Sequence, residues 1–364
     1  MNIMLLFLST YNGKDGKEGD NYITDFGIVT GKQTNEAPVK YALERLKKEK
    51  LTLDKIIALV TPKAKDSALT QFSETVKSVS PNTDILPLEI PDNVTTVELL
   101  SAVISELSSL NRDDNVIIET TGGYRKDVTK LTLISRFLRY RGIEVKFSTY
   151  ADYVAKSVTD TSETDELWEL LDAVNLFAVS GNPVALSKSL VSVRGIPEKP
   201  ALIKAMRDFY DMLLCCKVSK LDKTIENLRN AFDGIINADI PPTDTKTIVF
   251  RDMVREIILS KMEFIREKDY FRAFILWLLD NNYIQQAVTI LWEKILWKKI
   301  EDNKHRRNYK PGSVSEANWL KSRLYRNNFN HADGEDLDEL KDSADKVKEF
   351  LKLVTENYKY SEPN

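Results

Sequence analysis

Only two histidines occur in 364 residues. One of them, His331, lies in LYRNNFNHADGED, residues 324–336, five positions after Arg326. An arginine and a histidine at close range suit RNA cleavage by the ribose 2′-hydroxyl, a reaction that needs no metal in principle. Histidine moves protons near neutral pH, and the planar guanidinium fork takes up charge on a phosphorane. Asn327 directly follows the arginine, and with Asn330 it offers hydrogen bonds to hold the imidazole or the phosphate. Five helical residues turn about 500°, or roughly 140° beyond one full turn, so Arg326 and His331 do not share one face of a straight helix. They meet either at a helix end or from two copies of the chain across a dimer interface. A solvated loop carrying an incidental histidine is the competing reading.

The other histidine sits in KHRRNYK, residues 304–310. Lys304, Arg306 and Arg307 offer an RNA backbone a local rail of positive charge; a solvated basic linker has the same composition.

A second candidate site is IIETTGGYRKDVTK, residues 117–130. Thr120 and Thr121 leave a strand, Gly122 and Gly123 let the backbone turn sharply, and Tyr124, Arg125 and Lys126 open a helix. Free amides at a helix start, with two cations beside them, suit a phosphate. Neither GxxxxGK[ST] nor GxGxxG is present, so this is neither a Walker A loop nor a dinucleotide fingerprint. Ser9 and Thr10 end the first strand, and Thr61 follows the second. Their hydroxyls stand at the same sheet edge as Thr120 and Thr121, and are suitable partners for ribose and phosphate oxygens. A plain strand–helix turn remains the alternative.

The elements that must position these residues fall into two halves. Over the first 155 residues short apolar strands alternate with amphipathic helices: NIMLLFLST, APVKYALERLKKEK, DKIIALVTP, SALTQFSETVKSV, TDILPLEIP, TVELLSAVISELSSL, NVIIETTGG, YRKDVTKLTLISRFLRYRG and IEVKFSTYAD. That alternation predicts a mainly parallel, doubly wound α/β sheet, whose ligands bind where strand C-termini meet helix N-termini. From about residue 160 only helical periodicity persists, which predicts an all-α bundle. The polar, acidic TDTSETDE marks the boundary, giving domains 1–158 and 159–364. Trp277, Trp292 and Trp297 fall on helical apolar faces and read as core or interface residues.

The composition is that of a folded chain, 42% hydrophobic and 29% charged. A net charge of −3 excludes a generally basic nucleic-acid coat but leaves room for a local basic site. Adjacent Cys215 and Cys216 fit neither a disulfide nor a metal-ligand spacing, and read as reduced core residues of a cytoplasmic protein. MNIMLLFLST reads as a first core strand rather than a signal peptide. No apolar run approaches the roughly 18 residues of a membrane span.

The ordered pair of halves resembles the CRISPR-associated ribonucleases of type III systems. These join an N-terminal Rossmann-like CARF sensor to a C-terminal all-α HEPN domain. The resemblance rests on NIMLLFLST ending in Ser-Thr, on VIIETTGGYRKDV, on YIQQAVTILWEKI, and on RNNFNH, which matches R-x4-6-H with a polar residue after the arginine. It implies a homodimer in which a cyclic oligoadenylate binds across the paired sensors and activates a composite nuclease site. That site cleaves single-stranded RNA without metal and with no cofactor beyond the allosteric activator. Arg326 and His331 would be catalytic, with Asn327 supporting them. Ser9, Thr10 and Thr120 to Lys126 would line the activator pocket. Where many relatives carry His-Gly, this chain has Gly122-Gly123, so activator contacts there fall to backbone amides, Thr121 and Arg125. Slow activator cleavage in the sensor is compatible with the hydroxyls and Lys126. Two other readings stay open: a CARF-type sensor whose helical half is a non-catalytic interaction or DNA-binding module, and a nucleotide-dependent enzyme acting at TTGGYRK.

Overall fold

The computed structural model describes residues 1–11, 19–291, 293, 294, 348, 349 and 352. The chain divides into two compact units, Met1–Glu166 and Leu167–Asn364.

The first unit is built on one eight-stranded sheet. In chain order its strands are β1 (Asn2–Phe7), β2 (Asp20–Thr24), β3 (Gly27–Gly31), β4 (Lys55–Val60), β5 (Asp84–Glu89), β6 (Asn115–Glu119), β7 (Glu144–Asp152) and β8 (Ser157–Asp160). Their spatial order is β3-β2-β8-β7-β6-β1-β4-β5. The pairs β4–β5, β1–β4, β1–β6 and β6–β7 are all parallel. The helices that cross between them are α1 (Glu36–Lys48), α2 (Pro62–Val79), α3 (Thr96–Glu106) and α4 (Arg125–Tyr140). All six residues of β1 are buried, because this strand lies mid-sheet with helices over both faces. Alternate residues feed two cores. Met4, Leu6, Ile56, Ala58 and Ile117 pack with Val39, Tyr41, Phe72 and Val76 of α1 and α2. Ile3, Leu5, Phe7, Ile57, Leu59 and Ile118 pack with Leu99, Val103, Leu131 and Leu138 of α3 and α4.

The sheet is therefore doubly wound, but it is mixed rather than simply parallel. β2 and β3 form an antiparallel hairpin, β8 returns antiparallel to β7, and β2 joins β8 at Ile23↔Ser157. The alternation of strand and helix gave no sign of β2 and β3. They are short strands at one end of the sheet, in which Ile23 and Ile28 stand exposed, so no apolar face shows in their pattern. The polar stretch read as a boundary is also folded. It supplies the second half of β8 and the first turn of α5 (Ser162–Ser180), where Glu163 and Asp165 suit the positive end of the helix.

In the second unit every described element is helical: the rest of α5, α6 (Val184–Ser189), α7 (Lys199–Leu214), α8 (Leu221–Ile236), α9 (Thr245–Met253), α10 (Leu259–Lys261), α11 (Tyr270–Asp280) and α12 (Ile284–Leu291), with short 3-10 turns between some of them. A π-helical turn, Val254–Ile258, joins α9 to α10. Phe209, Phe264, Phe274 and Trp277 cluster in the core, and the buried Trp277 indole donates to Ala178 O at 2.9 Å. Trp277 is thus a core residue. The two cysteines are free, but Cys215 is exposed rather than buried. It caps the C-terminus of α7, where the chain turns toward α8.

Candidate functional site

The five parallel strands run β5-β4-β1-β6-β7, the order of a doubly wound sheet. From β1 the chain passes to β4 on one side, and from β6 to β7 on the other. The crevice between the C-termini of β1 and β6 is the topological switch point, where such sheets bind ligands. The register places the sequence-predicted residues on this edge. Phe7 pairs with Leu59 and Leu6 with Glu119, so Ser9, Thr61 and Thr121 each stand just past the end of their strand. Ser9 and Thr61 are half-buried and Thr10 is exposed.

Beneath that edge lies a buried polar network which the sequence reading missed. Asn35, fully buried, donates from Nδ2 to Phe7 O at 2.9 Å and to Glu119 Oε2. Its Oδ1 accepts from Ser9 N at 2.9 Å and from Gln33 Nε2 at 2.7 Å. Gln33 in turn donates to Ser9 O and accepts from Asn35 N. The Glu119 carboxylate also accepts from Thr121 N at 2.6 Å. One asparagine therefore ties the loop after β1 to the end of β6, and both polar groups of the Ser9 backbone are used. Burial pushes the Glu119 carboxyl up to about 7, against the opposing pull of hydrogen bonds from Thr121 and Asn35.

The glycines answer to the same junction. A Cβ on Gly122 would stand 1.8 Å from Phe7 O and 2.5 Å from Asn35 Nδ2. Only glycine lets the loop after β6 come this close to the end of β1, so its role here is contact with the chain itself. Gly123 has φ +81°, the left-handed region that glycine enters without strain.

The two threonine hydroxyls are also engaged. Thr120 Oγ1 donates to Thr149 O at 2.9 Å, and Thr121 Oγ1 accepts from Ala151 N at 2.7 Å, which leaves its proton able to donate elsewhere. Both fasten the loop to β7. Thr61 caps α2, its hydroxyl accepting from Ala64 N.

At the start of α4, Tyr124 is well exposed and the Lys126 ammonium lies 5.8 Å from its ring centre. Arg125 is the first residue of that helix. Asp127 accepts from Tyr124 N at 2.9 Å and forms a buried ion pair with Lys130 at 3.0 Å. Lys130 also donates to Val94 O. The helix start is thus part-capped by its own carboxylate, and an anion there would rely on the remaining amides and the neighbouring cations.

Arg326, Asn327 and His331, like Lys304, Arg306 and Arg307, lie outside the described residues, as do Trp292 and Trp297. In the second unit an open groove of about 630 Å³ is lined by Lys261, Glu263, Glu267, Arg272 and Asp280 among others. Its mixed charge does not offer the single-sign track an RNA backbone follows. Among the described residues no three His, Cys, Asp or Glu side chains are grouped to hold a metal ion. No described helix is long and apolar enough to cross a membrane.

No protein-family profile and no curated protein matches this sequence. Among solved structures, one similar to it is Enterococcus italicus Csm6 bound to cyclic hexa-2'-fluoro-hexa-dAMP. The TM-score is 0.38 and the identity 12%, over 96% of this chain and 99% of that one. At that level the likeness assigns neither a family nor an activity.

Proposed function

We propose that the first unit is a nucleotide sensor and the second a metal-independent endoribonuclease that it controls, as the resemblance to CARF–HEPN proteins implies. The observation that carries this reading is the placement of the candidate ligand residues. Ser9, Thr10 and Thr120 to Lys126 flank the switch point of a five-stranded parallel core, the place where such sheets take a phosphate-bearing ligand. The activator is a cyclic oligoadenylate, held by hydroxyls and amides at the strand ends and by Arg125 and Lys126. Two chains pair, and each contributes Arg326, Asn327 and His331 to a composite site. There the histidine moves the proton of the attacking 2′-hydroxyl and the arginine takes the phosphorane charge. Lys304, Arg306 and Arg307 guide single-stranded RNA toward it.

The test is incubation of the purified chain with labelled single-stranded RNA and cyclic tri-, tetra- or hexa-adenylate in turn, with EDTA present. Cleavage that depends on one ring size, leaves 2′,3′-cyclic phosphate ends and is lost in His331→Ala is the expected result. Activator binding with no cleavage by the unaltered chain would instead leave a sensor with a non-catalytic helical module.

A further inference from the structure

α5 is one unbroken helix, Ser162–Ser180, and its two ends belong to different cores. Its C-terminal half places Val174, Phe177 and Ala178 in the apolar core of the second unit. Its first turn is held by the first unit through Asp165, which is 8% exposed. One carboxylate oxygen of Asp165 accepts from Ser148 Oγ of β7 at 2.8 Å and lies 3.7 Å from Arg139 Nη2. The other accepts from Ser135 Oγ at 3.4 Å. Ser162, one turn earlier, accepts from Ser148 N at 3.0 Å.

Ser135 and Arg139 are four residues apart and so lie on one face of α4. This is the same helix that begins at the Gly122-Gly123 turn. They stand roughly 15 and 21 Å along α4 from its first residue. A helix of this length is stiff, so a displacement at its start reaches these side chains largely undiminished. A buried carboxylate is also an exacting partner. It needs its donors within hydrogen-bond reach, and losing them in a dry site costs more than their presence gains.

We infer that Asp165 is a positioning residue: through Ser135 and Arg139 it passes a ligand-driven movement of α4 to the first turn of α5, and along α5 out of the sensor unit. This rests on the proposed function, since it assumes a ligand at the start of α4. Asp165 touches neither ligand nor RNA. Its two sets of partners have different duties. Ser148 anchors the helix to the sheet, while Ser135 and Arg139 report the position of α4.

The experiment uses the full chain in three forms: unaltered, Ser148→Ala, and Ser135→Ala/Arg139→Gln. Each is measured for cyclic oligoadenylate affinity by calorimetry, thermal midpoint, and RNA cleavage with and without activator. Hydrogen exchange across residues 162–180 is followed on ligand addition. The double variant is expected to keep its affinity within about twofold, to lose roughly tenfold in the ratio of activated to basal cleavage, and to lose the ligand-induced change in α5 exchange. Ser148→Ala is expected to lower the thermal midpoint while keeping that ratio. The inference is overturned if the double variant activates like the unaltered chain, or if both variants lose activation in proportion to stability. If the unaltered chain binds no cyclic oligoadenylate, the sensor reading itself fails and the inference goes with it. If the unaltered chain binds and is activated, the variants bear on Asp165 alone.

Discussion

Asn35 and Glu119 are 84 residues apart in sequence, yet the Asn35 amide donates directly to the Glu119 carboxylate at the meeting of β1 and β6. The same Nδ2 donates to Phe7 O, and Oδ1 accepts from Ser9 N. The side chain cannot flip without breaking several bonds, so its orientation is fixed by its neighbours.

Asn35→Ala and Asn35→Asp separate the parts of that junction. Alanine leaves Ser9 N and Phe7 O without their partner and should cost about 3 kcal/mol in urea unfolding. Aspartate keeps an acceptor for Ser9 N but sets a second carboxylate against Glu119. It should be more damaging than alanine at pH 8 and recover at pH 5, as the pair takes up a proton. An aspartate variant equally stable at both pH values would contradict the assigned contact.

Glu119 gives the fold a pH dependence of defined sign. Its ordinary value is 4.5, and in the folded chain it stands at about 7. Between those values the folded state binds more protons than the unfolded one. Its contribution therefore falls as pH rises from 4.5 to 7, by roughly 3 kcal/mol in all, and the loss is complete above 7. Glu119→Gln cannot titrate, so the stability of the unaltered chain minus that of the variant should decline across this window. A flat difference between pH 4.5 and 8 would refute it.

Gly122→Ala forces a methyl group to within 1.8 Å of Phe7 O. The strand ends must part, at a cost of about 3 kcal/mol. Gly123→Ala meets a left-handed backbone and looser contacts, Phe7 Cβ at 3.0 Å and Asp127 Oδ2 at 3.2 Å, and should cost about 1–2 kcal/mol. The order of the two unfolding midpoints checks the claim, and the reverse order would place the close approach elsewhere.

Thr121→Val removes the acceptor of Ala151 N while keeping the side-chain shape. It should cost about 1–2 kcal/mol, and Thr121→Ser should restore most of this. Under the proposed function the valine variant also weakens cyclic oligoadenylate binding and the serine variant retains it. Calorimetry on both would show whether the hydroxyl proton matters to the ligand.

Three of the parallel strands, β1, β4 and β6, were legible because each is buried on both faces and so reads as a continuous apolar run: NIMLLF, KIIALV and NVIIE. The β2–β3 hairpin was not, since its apolar residues include the exposed Ile23 and Ile28. The sharp turn at Gly122-Gly123 was visible as a dipeptide, and its partner, the Phe7 carbonyl, was not. Asn35 was hidden in a different way. It stands at the N-cap of α1, where an asparagine normally serves its own helix, yet it makes no such cap. Polar pairing over 84 residues leaves no periodicity to read. Glu119 alone gave a local hint, as a lone charge closing an otherwise apolar strand.

The way α5 is seated decides where the first unit can be severed for production on its own. A cut after residue 158, ahead of the acidic stretch, would halve β8 and discard Ser162 and Asp165. Ser148 would then lose both the acceptor for its amide and the acceptor for its hydroxyl. A piece that ends at Glu166 keeps every one of these bonds. The remaining helices, expressed without those residues, would begin at a raw helical end stripped of its acidic first turn.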